Sequence, residues 1–552
     1  MKRHIIAACI ALGLTVVGPS AQAQDERFDI VRFEVKGNTL LPADQINALV
    51  APFIGRARVY GDIQKALEAL ENAYRAKGFG TVNVHVPEQE ITTGVIRLDV
   101  SEAVLGKIAL TGNRHFDEAN IRASLPNLRE GTAPNLRQIS ENVQLINENP
   151  AKQVEVTLGT SAQEGKVDAK VALTEQNPRR VYATLDNSGT IATGRHRLGI
   201  AYQDANLLGR DEMLTLAYTT TPDVWFDYPD HVKMDVYSIA FRKPFYDFGD
   251  SLDVIYGNSN LNTPTLQATG FGINGKGEVL AVRWNHLFPR QGEYTSRLVF
   301  GFDYKHMNTK CRNPATGSDF SIAPPTPANS SCVPYTLRPV SATYTGNWQG
   351  VGYQAGLNVG VAYNLFPHGS RYTGNAGTAA AGKTDYYSFI AGRPVSDEFM
   401  IVRYGGNYAR LLNEWQWRAA LSGQHTGGGL PGAEQFSLTG SGAVRGFDER
   451  AIAADTGYVV NLEAYTPNLA GLVRLPGNLH GVFFHDFGKG RNAGLNDTPF
   501  DHGIASLGIG LRYAPDKNFS LSIDAADILD YGPNRLDRRN GWGGHFKMMI
   551  AF

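Results

Sequence analysis

Hydrophobic and polar positions along this chain follow two periods, and the change between them divides it. Val31, Phe33 and Val35 alternate with Arg32, Glu34 and Lys36, which predicts a half-buried strand. After Gly37-Asn38, the residues Ile63, Ala66, Leu67, Leu70 and Tyr74 recur at three- and four-residue steps. That spacing predicts an amphipathic helix, stopped at Gly78. Val82, Val84 and Val86, then Ile96, Leu98 and Val100, return to the period of two. The order repeats about 75 residues on. Gly112-Asn113 answers Gly37-Asn38, Phe116 answers Leu41, Ile121 answers Ile46 and Leu125 answers Val50. A further helix carries Leu136, Ile139, Val143 and Ile146, and two strands close the repeat at Val154/Val156/Leu158 and Val167/Ala169/Val171/Leu173. Each repeat can lay helices on one sheet, so two small α+β domains are expected, over 24–103 and 104–176.

From residue 177 to 552 the period of two dominates. Leu198, Ile200 and Tyr202 alternate with Gly199, Ala201 and Gln203; Leu298, Phe300, Phe302 and Tyr304 oppose Gly301, Asp303 and Lys305. Leu507, Ile509 and Leu511 oppose Gly508, Gly510 and Arg512. One face is large and apolar, the other small or charged. A soluble sandwich would also alternate, so the surroundings decide. Residues 1–23 read as a secretory signal, with Lys2 and Arg3, an apolar run from Ile5 to Gly18, and an Ala21-Gln22-Ala23 cleavage site. That run is about 14 residues, short of the roughly 20 that cross a bilayer. The chain ends on alternating Phe546, Met548, Ile550 and Phe552, similar to the terminal signal of bacterial outer-membrane barrels. Open sheet edges cannot survive in lipid, so the sheet must close. About 23 residues per strand and loop predicts roughly 16 antiparallel strands.

Composition agrees with a barrel. Gly is 60 of 552, Tyr and Phe are 24 and 26, and charged residues are 19%, below the usual ~25%. A net charge of −1 argues against nucleic-acid binding. Cys9 leaves with the signal. Cys311 and Cys332 bracket a Pro-rich loop without nearby His, so a disulfide is expected there rather than a metal.

Two motifs stand out in the barrel half. One is Leu438–Arg450, with Val444-Arg445-Gly446-Phe447 behind Gly440 and Gly442; the other is Val482–Gly488, with Phe484, Asp486 and Gly488 in an F-x-D-x-G pattern. They resemble the sixth-loop and strand signatures of the Omp85 superfamily, and more narrowly its two-partner secretion branch of haemolysin-activation transporters. Pro87, Gln89 and Gly94 are similar to the signature of that branch's first POTRA domain, and two POTRA domains is its count. The first hairpin, with Leu185–Gly189, Thr193-Gly194, Asn206–Gly209 and Asp211, is similar too.

The resemblance implies a transmembrane antiparallel β-barrel preceded by two POTRA domains, placed in the outer membrane of a Gram-negative bacterium with the POTRA pair in the periplasm. It implies a transporter, acting as a monomer among outer-membrane lipids, that secretes an unfolded partner exoprotein. The rival reading is an Omp85-type factor that inserts other barrels. Many members carry an N-terminal plug helix; about five residues between the cleavage site and Phe28 leave no such expectation here.

The resemblance also implies that the loop folds back into the lumen and Arg445 meets Asp486. From the residues alone, two independent solvated charges remain the alternative to that pairing. Asp486 on a membrane strand must face inward, which puts Phe484 there too, in need of cover. In a partly hydrated lumen the pair is expected to contribute about 1–3 kcal/mol.

Other motifs mislead. Gly377–Thr384 spells a phosphate-binding loop, but no buried strand precedes it and no helix follows. Gly270–Gly275 lacks the βαβ setting of a dinucleotide site. No catalytic residues, cofactor, nucleotide or metal are assigned, and His480 and His485 read as barrel-wall residues.

Overall fold

A computed structural model describes residues 27–189, 194–222, 234–259, 277–307, 335–365, 395–493, 503–532 and 541–552. It also describes the backbone of short ribbons at 263–266, 271–273, 311–312, 319–320, 371–372 and 384–385. The signal, Thr193, most of the Gly377–Thr384 motif, the Cys311 side chain and Cys332 lie outside the described residues. The chain forms two compact units, one ending at Val104 and one beginning at Leu105.

In the first unit β1 (Phe28–Ile30) pairs with β3 (Gly55–Arg58). A sheet of β2 (Arg32–Lys36), β5 (Val95–Glu102) and β4 (Val82–His85) carries α1 (Ala43–Val50) and α2 (Tyr60–Ala76). Ile63, Ala66, Leu70 and Tyr74 of α2 are buried against Val82, Val84, Ile96 and Leu98, the stripe that the helical spacing predicts. Val31 departs from the predicted alternation. It lies between β1 and β2, 64% exposed, because its N–H turns aside to the Gly94 carbonyl at 2.7 Å. Gln89 explains part of its motif. Its amide accepts from Arg97 N at 2.7 Å and donates to Arg97 O at 2.8 Å, doing for β5 beyond the end of β4 what a neighbouring strand would do.

The second unit starts with β6 (Val104–Thr111), α3 (Glu118–Ser124), α4 (Leu136–Ile146), β7 (Lys152–Thr160) and β8 (Lys166–Glu175), the strands ordered β6-β8-β7. Then the sheet closes into a barrel of 16 strands. They are β9 (Arg179–Asp186), β10 (Arg197–Leu207), β11 (Glu212–Thr220), β12 (Asp235–Phe245), β13 (Asp250–Ser259), β14 (Gly277–Gln291), β15 (Tyr294–Met307) and β16 (Pro339–Gly350). The second half is β17 (Tyr353–Asn364), β18 (Met400–Leu412), β19 (Trp415–Thr426), β20 (Thr456–Tyr465), β21 (Asn478–Arg491), β22 (Gly503–Ala514), β23 (Phe519–Asp530) and β24 (Trp542–Ala551).

Each strand pairs antiparallel with the next, and β24 closes on β9 from Lys547↔Asp186 to Ala551↔Tyr182. Phe552 extends the seam, its N–H donating to Val181 O at 2.8 Å. Ile200, Tyr237, Ile239, Phe300, Leu507 and Ile509 stand exposed on the outer face, while Asp303, Ser506 and Asp524 are buried inside. Apolar outside and polar inside is the order a membrane barrel requires. Among the described residues no helix is long and apolar enough to cross a membrane.

Connections at one barrel end are tight turns, such as Leu208–Asp211 and Val351–Gly352, apart from a longer one over 466–477; those at the other are long. The β6–β8 domain packs on the tight-turn end, its core of Phe116, Ile121, Ile139, Ile146 and Val171 continuing into Ala205, Met213 and Tyr246 of the barrel.

Candidate functional site

The connection from β19 to β20, residues 427–455, leaves the long-loop end and turns back inside the barrel. Its own backbone makes it a narrow hairpin. Leu438 N donates to Ile452 O at 2.9 Å and Val444 N to Leu438 O at 3.1 Å. The Glu449 carboxylate ties the far side, accepting from Ser441 N at 2.8 Å. Gly446 then turns with φ of +98°, a region that a side chain would strain.

The tip carries Arg445 onto the wall. Its Nε and Nη2 donate to the two oxygens of Asp486 at 2.7 and 2.8 Å, a bidentate pair. Its Nη1 donates to Glu463 on β20 at 2.9 Å, and Asp524 on β23 is 3.9 Å away. The guanidinium lies over the Phe484 ring at 3.5 Å, so Phe484 is covered by the cation itself. Asn461 joins the two sides, donating to Ala443 O and to Asp486 at 2.8 Å each. Gly446 N donates to His545 Nε2 on the last strand at 3.0 Å.

Val444 and Phe447 enter a small apolar cluster with Leu438, Ile452, Val459 and Ile504. Gly488 makes room for this. A Cβ there would stand 3.0 Å from Val444 Cγ2.

The site is drier than a partly hydrated lumen. The Arg445 side chain is 4% exposed and that of Asp486 0%, because the loop's own apolar residues seal the contact. Removing one partner of such a pair costs about 3–5 kcal/mol, above the expected range, because it strands the other charge.

A second buried ion pair lies at the tight-turn end. Asp211, in the first hairpin's turn with φ of +59°, accepts from Lys152 Nζ at 2.6 Å, Ser124 Oγ at 2.6 Å, Tyr246 Oη at 2.7 Å and Asn120 Nδ2 at 3.0 Å. Lys152 also reaches Asn120 Oδ1 at 3.0 Å and Ser124 Oγ at 3.4 Å, so all its donors are used. Burial pulls the Lys152 ammonium below its ordinary pKa, with Asp211 opposing. The Tyr246 phenol is pushed up, first by burial and then by Asp211, which keeps it a donor. This cluster joins the β6–β8 domain to the barrel.

The structure thus brings Val444, Arg445, Phe447, Phe484, Asp486 and Gly488 together and leaves Pro87, Gln89 and Gly94 in the first unit. Sequence reasoning missed Asn461, Glu463, Asp524 and His545. Their signal was inward parity: Asn461 and Glu463 sit two apart on a strand whose other face is Val460 and Leu462. It also missed Lys152, hidden at the start of an amphipathic strand.

Comparisons with known proteins agree with this architecture. Residues 28–103 match the POTRA domain, ShlB-type, and residues 165–313 and 353–513 match the haemolysin secretion/activation protein ShlB/FhaC/HecB family. The outer membrane transporter CdiB of Dickeya dadantii is 24% identical over 464 residues, 82% of this chain and 74% of that protein. The heme/hemopexin transporter protein HuxB of Haemophilus influenzae is 20% identical over 543 residues, 94% of this chain and 87% of that one. The solved structure of CdiB from Escherichia coli superposes with a TM-score of 0.71 at 19% identity, covering 97% of this chain and 93% of that one. The chain belongs to the ShlB/FhaC/HecB family of two-partner secretion transporters, outer-membrane barrels that pass a partner protein across the outer membrane.

Proposed function

We propose that this transporter takes its partner unfolded from the periplasm, receives it on two POTRA domains at 24–103 and 104–176, and threads it through the barrel of 177–552. It works as a monomer embedded in outer-membrane lipid. The observation that carries the reading is the occupied lumen: the 427–455 loop fills the path and is held to the wall chiefly by side chains. Such a segment can be displaced and can return, whereas a strand paired into the wall could not. Val444, Arg445, Gly446 and Phe447 on the loop, with Phe484, Asp486 and Gly488 on the wall, set its resting position.

Docking of cargo needs open strand edges, and β2 and β4 supply them at the borders of the first sheet. An extended chain adds to such an edge through its backbone, with little demand on sequence. No covalent chemistry is required: folding of the emerged partner outside removes it from the pore and makes the motion one-way. Removal of residues 28–103 is expected to abolish export while leaving a heat-modifiable barrel in the outer membrane. Normal export by that truncated protein would refute the docking role.

A further inference from the structure

The same loop has a second, chemically opposite anchor before its tip. Glu434, in the one-turn helix Gly432–Glu434, has a fully buried side chain. Its Oε1 accepts from Lys305 Nζ on β15 at 2.6 Å, and its Oε2 from Arg403 Nη2 on β18 at 2.8 Å. Gln424 braces both partners, donating to Glu434 O at 2.9 Å while accepting from Arg403 Nε at 3.0 Å. At the tip a loop cation meets wall carboxylates; here a loop carboxylate meets wall cations.

The two anchors hold different walls. The tip binds β20, β21, β23 and β24. Glu434 binds β15 and β18, earlier in the barrel order. Beside Glu434, Leu430 and Ala433 are buried in an apolar cluster with Val236 of β12, Val279 of β14, Met307 of β15 and Ile401 of β18. Each of those wall residues lies within a few positions of its strand's long-loop end. An apolar patch on the inward face of a secretion barrel is otherwise out of place, since that face is polar along most of its height. Leu430 and Ala433 give it something to bury.

We propose that Leu430–Glu434 is the gate at the outer end of the pore, with Leu430 and Ala433 as its seal and Glu434–Lys305/Arg403 as its latch. Export requires both anchors of the loop to release, the latch at the outer mouth and Arg445 deeper in the lumen. The proposal rests on the transporter reading, but its conductance measurements need no cargo.

The full-length protein is reconstituted in planar lipid bilayers and the ion current recorded. Glu434→Gln keeps the shape but weakens both charge-assisted bonds, and is expected to raise the open fraction about tenfold. Leu430→Ser, which leaves the latch residues in place, is expected to open the pore as well. Heat-modifiable migration confirms that each variant is folded. A second arm joins position 434 to 403 through E434C and R403C with a bis-methanethiosulfonate, each cysteine thiolate displacing a sulfinate to form a reducible disulfide, in a C311S/C332S background. The cross-link should return the current to the parental level and block export, and reductant should restore both current and export. If both single variants keep the parental current, or the cross-linked protein conducts like the reduced one, the gate is refuted. Loss of export by the parent would instead count against the transporter reading, which the current does not measure.

Discussion

Two buried ion pairs, Lys152–Asp211 at the tight-turn end and Arg445–Asp486 in the lumen, are built on different plans. Lys152 bonds one carboxylate, and the other groups bonded to the pair are neutral, Asn120, Ser124 and Tyr246; the Glu175 carboxylate, opposite Lys152 across the β7–β8 ladder, also favours the ammonium. Within the hydrogen-bonded cluster the one cation meets the one anion. Arg445 faces Asp486, Glu463 and Asp524. Two of these have cations of their own: Glu463 lies 3.6 Å from Arg418, and Asp524 lies 2.8 Å from Arg512. In the first arrangement Asp211 pairs with Lys152 alone among the described residues, so its charge is stranded once that cation leaves. The second can lose Arg445 and still leave two of three carboxylates beside a cation. A bolt and a latch follow from that difference: the β6–β8 domain is fixed to the barrel, while the loop can leave and return.

The largest effect is expected at the bolt. Lys152→Met strands Asp211 in a dry site, a loss of about 3–5 kcal/mol. Residues 105–176 should become sensitive to limited proteolysis in detergent, and export should fail. Lys152→Met with Asp211→Leu removes both charges and should recover most of the protease resistance, as apolar replacement of a buried pair often does. A double mutant as sensitive as the single would show that the pair is not the bolt.

Next in size are the latch residues, and here the plan predicts an asymmetry. Arg445→Ala leaves Asp486 without a cation, held by Asn461 and the backbone N–H of residue 445, and uncovers Phe484. The cost is about 3–5 kcal/mol of loop anchoring. Asp486→Ala leaves the guanidinium on Glu463, so its cost is about 1–3 kcal/mol. Export at matched outer-membrane levels should therefore fall further for Arg445→Ala. Combining the two should be little worse than Arg445→Ala alone, because both break one contact. Arg445→Lys should rescue only partly, since an ammonium cannot make the fork. Equal single defects that add would contradict a shared latch.

The same contrast explains what was legible in the sequence. Strands and helices were readable because burial on one face imposes a period, and the inward position of Asp486 followed from parity alone. Arg445 and Asp486 could be matched because each sits in a motif dense enough to mark it. Lys152–Asp211 was not readable. Its cation is one lysine among many, and its setting depends on where one domain rests on a turn 59 residues later. Glu434, Lys305 and Arg403 were hidden for the same reason: two strands and a loop far apart in sequence bring them together, and no local pattern records that. The dryness of the lumen site was missed because it comes from Val444, Phe447 and Ile452 packing together, not from the charged residues.

The smallest predicted effect tests how closely the latch depends on packing. Gly488 lies on β21 two residues after Asp486, on the same inward face, opposite Val459. A Cβ at this position would meet Val444 Cγ2 at 3.0 Å, Ile504 Cγ1 at 3.4 Å and Val459 Cγ2 at 3.4 Å. The last two are ordinary contacts, so only Val444 must yield, by a few tenths of an ångström. Gly488 does not adopt a left-handed φ, which confines the cost to crowding. Gly488→Ala should therefore cost about 1 kcal/mol, at the low end for overpacking, and reduce export by less than Asp486→Ala does. Val444→Ala should relieve the crowding in the double mutant while costing a little burial on its own. Gly488→Ala with Val444→Ala exporting better than Gly488→Ala would place the fault at that contact. If Gly488→Ala proves as severe as Arg445→Ala, the loop is held by shape more than by charge, and the latch would have to be redrawn around Val444.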